Sequence, residues 1–372
     1  MPASVGQFRS SIQPGTHRHP GTARLLLHSR VSLLGRQEPY PNTAEVASGR
    51  VVVASGRAWS KGGPVKLIVQ PDDGQAPVLE AIERARKTLD FIIFRLDSKD
   101  IEKAAATAVT RGVNVRALIA HTHSGESKRL RELEQRLLGE GVTVSRTGNE
   151  LVRYHHKFIV VDREELHVYG FNCTSADFKS RSFGIVTRNK ALVQEALRLI
   201  EADTARHDFE PTVDGLVVSP DNAREQLANF IKRAKKSLGI YDPKVTDTQM
   251  VRLLNVAAKA GVDIRVIGKV SKRAKNLRAQ KMPGMRLHVR AMIRDGDTVF
   301  VGSQSLRALE LDARREVGLI ARDAGVVKRF QETFEEDWAK TDLGKKEQKE
   351  FERDQKLATA DDVVLEIPAD GS

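Results

Sequence analysis

The chain holds a single cysteine, Cys173, in 372 residues. That excludes an intrachain disulfide framework and any cysteine-based zinc site. A lone cysteine usually packs rather than reacts, so Cys173, beside Asn172, is assigned no chemistry. No apolar run reaches the roughly 18 residues that a membrane-crossing helix needs, and no transmembrane segment is expected. Two Trp and four Tyr are too few to make base-stacking platforms conspicuous. Carboxylates are missing from residues 1–37, where five Arg stand among many Ser, Gly and Pro. The cluster Leu25-Leu26-Leu27 is too short for a secretory core, but an acid-free, Arg- and Ser-rich start has the composition of an organelle transit peptide. The expectation is a disordered basic leader over 1–63 and a cytoplasmic or peripheral-membrane protein, with an organelle as the alternative.

What is present is charge of one sign and repetition. The net charge of +12 points to anionic partners: phospholipid headgroups, nucleic acid or another phosphate ester. Residues 85–120 align with 234–269 at an offset of 149, Gly112 matching Gly261 and Arg116 matching Arg265. A second match, HHKFIVVD at 155–162 with HVRAMIRD at 288–295, has an offset of 133. The 16-residue difference is a net insertion between 121 and 148 in the first half; its leucines at 130, 133, 137 and 138 recur at helical spacing. Two repeats are therefore expected, over 64–205 and 213–340, followed by a charged tail over 341–372 that is a solvated helix or disordered. Each half alternates strands and helices, which predicts an α/β protein: duplicated lobes of mixed sheet flanked by helices. Pro243 demotes part of its strand toward an edge or loop. An internal pseudo-dimer of this kind is expected to be a monomer.

Both short motifs read His-x-(Lys/Arg)-x4-Asp: His155, Lys157, Asp162 and His288, Arg290, Asp295. Strand geometry puts residues i and i+2 on one face, so an imidazole and a cation stand side by side while His156 faces away, toward packing or a secondary contact. Two such pairs suit a phosphodiester. One neutral histidine can attack phosphorus while the other, protonated, gives its proton to the leaving alcohol and later deprotonates the incoming acceptor. Lys157 and Arg290 can hold the non-bridging oxygens. Beyond the motifs, Asn172 in YGFN and Ser303 and Ser305 in GSQS can donate to a phosphoryl oxygen, and glycine there permits close approach to a ligand. Glu316 can orient a histidine through Nδ1–H. The first half shows Ser182-Phe183 at that place and no carboxylate, so unequal roles are expected. No clustered carboxylate or His/Cys set suggests a metal, and no cofactor is required. His121 and His123 have no recognisable partner.

This constellation resembles the phospholipase D superfamily, the HKD phosphodiesterases, over roughly 64–340. HVRAMIRDGDTVFVGSQS and REVGLI match the family spacing, and FEEDWAKT at 334–341 is similar to the ending of many members. The resemblance implies one active site at the pseudo-twofold interface, with His155 as nucleophile and His288 as acid/base. It implies phosphate contacts from Lys157, Asn172 and the Arg290 and Ser305 positions, and structural roles for Asp162 and Asp295. Arg290 stands where Lys is usual, keeping the charge on a bulkier fork. Ser305 replaces Asn, and Tyr169-Gly170 replaces Gly-Ser. The implied activity is headgroup hydrolysis or transfer on a phospholipid through a phosphohistidine. Alternatives are a nuclease or cardiolipin-synthase-type transferase of the same superfamily, or a decayed basic binding protein. Residues 264–294 hold ten Lys or Arg and no acid, a candidate rim for an anionic membrane or nucleic acid.

Overall fold

Each half opens with a short apolar strand that ends at a Pro-Asp turn and feeds an amphipathic helix, as the repeat predicts. The structure, a computed structural model, describes residues 65–121 and 127–363; the expectations for the leader 1–63 and for His123 lie outside them. The first half contributes strands β1 Lys66–Gln70, β2 Thr88–Ile93, β3 Asn114–Ile119, β4 Thr143–Arg146, β5 Arg153–Tyr154, β6 Phe158–Val161, β7 Glu165–Tyr169 and β8 Ser182–Thr187. Its helices are α1 Ala76–Arg84, α2 Lys99–Thr110, α3 Ser127–Gly139, α4 Ser175–Phe178 and α5 Lys190–Ala205. The second half contributes β9 Leu216–Ser219, β10 Ser237–Val245, β11 Asp263–Val270, β12 Arg278–Gln280, β13 Arg290–Arg294, β14 Thr298–Gly302 and β15 Arg314–Ala321. Its helices are α6 Ala223–Lys232, α7 Thr248–Lys259, α8 Ala308–Asp312, α9 Ala324–Ala339 and α10 Asp342–Val363.

Two mixed sheets result, ordered β1-β8-β7-β6-β2-β3-β4 and β12-β11-β10-β13-β14-β15-β5, with β9 also on β15. Among the named strands, the parallel pairs are the crossover strands β2-β3-β4 and β10-β11-β12 and the β15–β5 pair. Helices cover the crossovers, and β2 is accordingly buried along nearly all of its length. The helix starts repeat too: Ser98 and Asp247 cap α2 and α7, and Asn189 and Asp323 cap α5 and α9. The first-half insertion folds as α3, burying Leu130, Leu133 and Leu137 and leaving Leu138 exposed. Pro243 sits inside β10 rather than ending it, at an irregularity between Asp242 and Val245, and pairing with β13 stops at Tyr241.

Each half has its own core. A third cluster joins residues of both sheets with α5 and α9, so the halves share a hydrophobic seam. Phe183 stacks on Phe330 at 4.8 Å and Tyr241 meets Phe334 edge-on at 5.1 Å within it. The described part of the expected charged tail is helical: α10 is tied down where Glu347 accepts from Trp338 Nε1 at 2.9 Å and from Arg278 at 2.7 Å. None of the described helices is long and apolar enough to cross a membrane.

Candidate active site

The motif aspartates close the hairpins that carry the motifs. Asp162 accepts from the backbone N–H groups of Arg86, Lys87 and Thr88, and Asp295 from those of Lys235, Lys236 and Ser237. Both adopt left-handed backbone, φ 49° and 53°, which Asp tolerates better than bulkier residues. Partial burial raises each carboxyl pKa, but the backbone donors outweigh it and hold both below the ordinary value.

At the starts of β6 and β13 the motif histidines and cations come together at the meeting of the two halves. His155 Nδ1 lies 2.7 Å from Glu316 Oε2, so a first-half histidine is oriented by a second-half carboxylate. His288 Nδ1 lies 3.2 Å from Asp177 Oδ2, the reverse arrangement, at ion-pair distance without full hydrogen-bond alignment. Lys157 Nζ is 3.1 Å from both ring nitrogens of His155 and donates to its carbonyl at 2.5 Å. The Phe94 ring packs edge-on against His155 at 4.5 Å. Arg290 keeps Nε and Nη1 buried with no hydrogen-bond partner among the described residues. A buried unpaired donor is costly, and these two are available to an incoming anion.

Burial pushes both histidines well below their ordinary pKa, helped at His155 by Lys157 and Arg290 and at His288 by Arg290, with Asp177 opposing. Burial also brings Lys157 down to about 7 against the pull of Glu316, and raises Glu316 against the pull of Lys157. Asp177 goes the other way: burial raises it, but His288, Arg286 and the Asn172 donors lower it further. Both shifts favour the neutral imidazole, and a nearby negative charge acts in the opposite direction.

The family model for the cardiolipin synthase, PLD-like domain matches residues 78–204 and 227–338, together more than half of the chain. The chain belongs to this phospholipase D-like family. No curated protein matches the sequence. Among solved structures, polyphosphate kinase from Porphyromonas gingivalis is similar with a TM-score of 0.62 at 18% identity, over 73% of this chain and 46% of that one. Phosphatidylserine synthase from Haemophilus influenzae Rd KW20 gives a TM-score of 0.59 at 10% identity, over 82% and 95%. The chain thus spans less than half the length of the kinase, and both likenesses concern the fold.

Within this phospholipase D-like fold, several expected donors are already engaged. Asn172 directs Nδ2 and its backbone N–H to Asp177 Oδ2, each at 2.7 Å, and its Oδ1 is buried without a partner. The Ser303 hydroxyl bridges to the backbone of Val317. The Ser305 hydroxyl donates to Asp242 at 2.5 Å rather than standing free for a phosphate, because the fully buried Asp242 carboxyl requires donors. Gly170 and Gly302 serve chain crossing rather than ligand approach: a Cβ on Gly170 would lie 3.0 Å from the Gly302 carbonyl, and one on Gly302 2.8 Å from Gly318 Cα. The first half has Ser182, not a carboxylate, at the place aligned with Glu316, and the carboxylate beside His288 comes from elsewhere. Asp177 arrives on α4, capped by Thr174, and not at the place aligned with Glu316.

Sequence reading missed the supports behind the histidines. Arg315 and Arg181 occupy equivalent places. Arg315 donates to Asp203 and to the Ser219 carbonyl, both at 3.0 Å, and also to Asp221. Arg181 donates to Asp337 at 3.1 Å, to the Gln70 carbonyl at 2.8 Å and to Asp72 at 3.3 Å. His156 does face away from His155, to within 3.1 Å of Asp203. The basic run 264–294 is not one uniform rim. Arg265 pairs with Glu335, Arg278 with Asp263 and Glu347, and Arg286 with Asp177, while Arg290 and Arg294 turn inward. Lys269, Lys272, Arg273, Lys275 and Lys281 remain on the surface. Cys173 is buried, with its thiol pushed up to about 12, and His121 is exposed.

Proposed function

We propose that the chain is a phospholipase D-type phosphodiesterase that breaks the headgroup ester of a phospholipid through a phosphohistidine. The observation that carries this reading is the crossed pair His155–Glu316 and His288–Asp177, flanked by Lys157 and by the unpartnered Arg290 guanidinium. Carboxylates on both Nδ1 atoms leave the Nε2 atoms for substrate. Nε2 of neutral His155 attacks phosphorus as the P–O bond to the leaving alkoxide breaks, and that oxygen takes the Nε2 proton of His288. His288 then removes a proton from water or an alcohol, which attacks phosphorus, breaks the P–N bond and restores His155. His288 gains its proton with the substrate, since the phosphate charge raises a pKa that burial and Arg290 depress. Lys157 and Arg290 neutralise the non-bridging oxygens as charge builds.

Transfer to an alcohol rather than to water is supported by the cardiolipin synthase description of the matching family model. The test is product analysis on phosphatidylcholine, phosphatidylglycerol, cardiolipin and single-stranded DNA, side by side with and without added glycerol. His155→Ala and His288→Ala are each expected to lower turnover about 10⁴-fold or more. The rate is expected to survive EDTA, because each charge is met by a side chain. Normal turnover in either variant sinks the assignment; cleavage of DNA alone makes the chain a nuclease; binding without any turnover makes it a decayed member.

A further inference from the structure

The second sheet carries its cations differently at its two ends. Strands β10, β11 and β12 are parallel, so their carboxyl ends share one edge of the sheet. Tyr241 faces Ala291 across β10 and β13, so Arg290 and the second motif stand at that same edge. Each of the three strands ends there with a lysine: Lys244 and Lys269 one residue before the ends of β10 and β11, and Lys281 just beyond β12. Register agrees, with Val245 on Val270 and Gln280 on Ile267. With the strand order β12-β11-β10-β13, the row reads Lys281, Lys269, Lys244, Arg290. The three lysines are exposed, and none has an ion-pair partner among the described residues. Nearer the amino ends of the same strands the cations are neutralised: Arg265 pairs with Glu335, and Arg278 with Asp263 and Glu347. The loop after β11 is fixed in place, Asn255 on α7 donating to the Arg273 carbonyl at 2.9 Å and accepting from the Lys275 N–H at 2.8 Å. Lys272, Arg273 and Lys275 thus add exposed charge along the flank of the row.

We infer that this edge docks the chain on an anionic bilayer, with the row Lys244, Lys269 and Lys281 laid against the headgroups beside the second motif. The inference deepens the proposed headgroup reaction and rests on it for the choice of partner. A phospholipid keeps its tails in the bilayer while its phosphate must reach the buried His155, so the protein edge at which the motifs start must meet the membrane. Lysine suits that contact. Its ammonium is a compact point charge without the fork that fixes one phosphate geometry, and attraction to an anionic leaflet adds up residue by residue. A single strand of nucleic acid asks for stacking rings as well as charge. Among the described residues the exposed aromatic ring is Phe351, on α10 and outside the row.

The test is cosedimentation of the full chain with vesicles of phosphatidylcholine alone and of equal parts phosphatidylcholine and phosphatidylglycerol. One triple variant carries Lys244→Gln, Lys269→Gln and Lys281→Gln. A control triple, Lys66→Gln, Lys190→Gln and Lys236→Gln, removes the same charge from the opposite end of the strands. The wild type and the control are expected to prefer the anionic vesicles and to lose that preference in high salt. The row variant is expected to bind them on the order of 100-fold more weakly, about fivefold for each lysine. Its turnover of a monomeric short-chain phosphatidylglycerol is expected to stay unchanged. Equal binding by the two triples, or no preference for anionic vesicles in the wild type, overturns the docking edge. Loss of monomeric turnover in the row variant overturns it too, because the lysines then serve the reaction. Row-dependent binding of single-stranded DNA without vesicle binding overturns the lipid choice. Row-dependent vesicle binding with no turnover of any lipid in the wild type overturns the proposed reaction and leaves the docking edge standing.

Discussion

The two halves agree in their supports and differ in their chemistry. Arg181 and Arg315 make the same three bonds, to a carbonyl before a Pro-Asp turn, to the aspartate of that turn and to an aspartate on the closing helix. Asp162 and Asp295 repeat the same backbone caps. The carboxylates on the histidines do not repeat. Glu316 reaches His155 from a strand and is fully buried; Asp177 reaches His288 from a short helix and is additionally held by Arg286. Where the first half aligns with Glu316 it has Ser182, which donates to the His288 carbonyl at 2.9 Å. Duplication thus preserved what places the motifs and altered what sets each imidazole's proton affinity, as a two-step reaction with distinct histidine roles would require.

That difference is most open to attack through the carboxylates. Glu316→Gln and Asp177→Asn are each expected to lower kcat up to about 10⁴-fold, the scale seen when an orienting carboxylate is neutralised. Their pH profiles should separate them. Removing either anion lowers the pKa of its histidine. If His155 acts neutral, Glu316→Gln moves the acidic limb of the profile to lower pH. If His288 acts protonated, Asp177→Asn moves the basic limb to lower pH. Both variants shifting the same limb would show the halves to be interchangeable.

The supports should give a smaller effect on rate and a large one on stability. Asp203 and Asp337 are both buried against their arginines, and losing one partner of such a pair costs about 3–5 kcal/mol. Asp203→Asn and Asp337→Asn are expected to lower the unfolding midpoint by similar amounts in denaturant titration. Only Asp203→Asn should also slow turnover, because Asp203 touches His156 and Arg315, the chain neighbours of His155 and Glu316. Its counterpart instead holds Tyr241 at 2.7 Å, in the seam. Equal kinetic losses would place the asymmetry elsewhere.

What could be read before the structure followed what repeats at fixed spacing. The two motifs, the alternation of strands and helices around them and Glu316 as a candidate partner for a histidine are written in local pattern, because strand alternation turns spacing into direction. Asp177 was not legible in that way. It reaches the site from a non-equivalent position on a four-residue helix, and only tertiary crossing brings it to His288. The arginine supports could have been found: SRSFG aligns with RREVG, and the Pro-Asp turns at 71–72 and 220–221 repeat at the offset of 149. The direction of the Ser305 hydroxyl was not legible, because it depends on the nearest acceptor, here Asp242, far away in sequence. The basic run looked continuous because sequence does not show which arginines meet Glu335, Glu347 or Asp177.

The smallest expected effects test the agreement between the halves rather than their difference. Asp162→Asn and Asp295→Asn keep a residue that tolerates the left-handed backbone and an oxygen that accepts, but they remove the charge from three converging N–H donors. Each is expected to cost about 1–2 kcal/mol, the increment of a charged over a neutral acceptor, with kcat per folded molecule unchanged. The pH dependence gives the sign. Both native carboxyls titrate below their unfolded value, so their contribution is complete above the ordinary carboxylate range, near pH 4. It is lost as pH falls through the depressed native pKa. The wild type should therefore lose its margin over both variants on acidification, and by the same amount for each. A margin that differs between the two positions, or a kinetic defect in only one, would mean that the duplicated hairpins are no longer equivalent frames and that the asymmetry begins below the histidines.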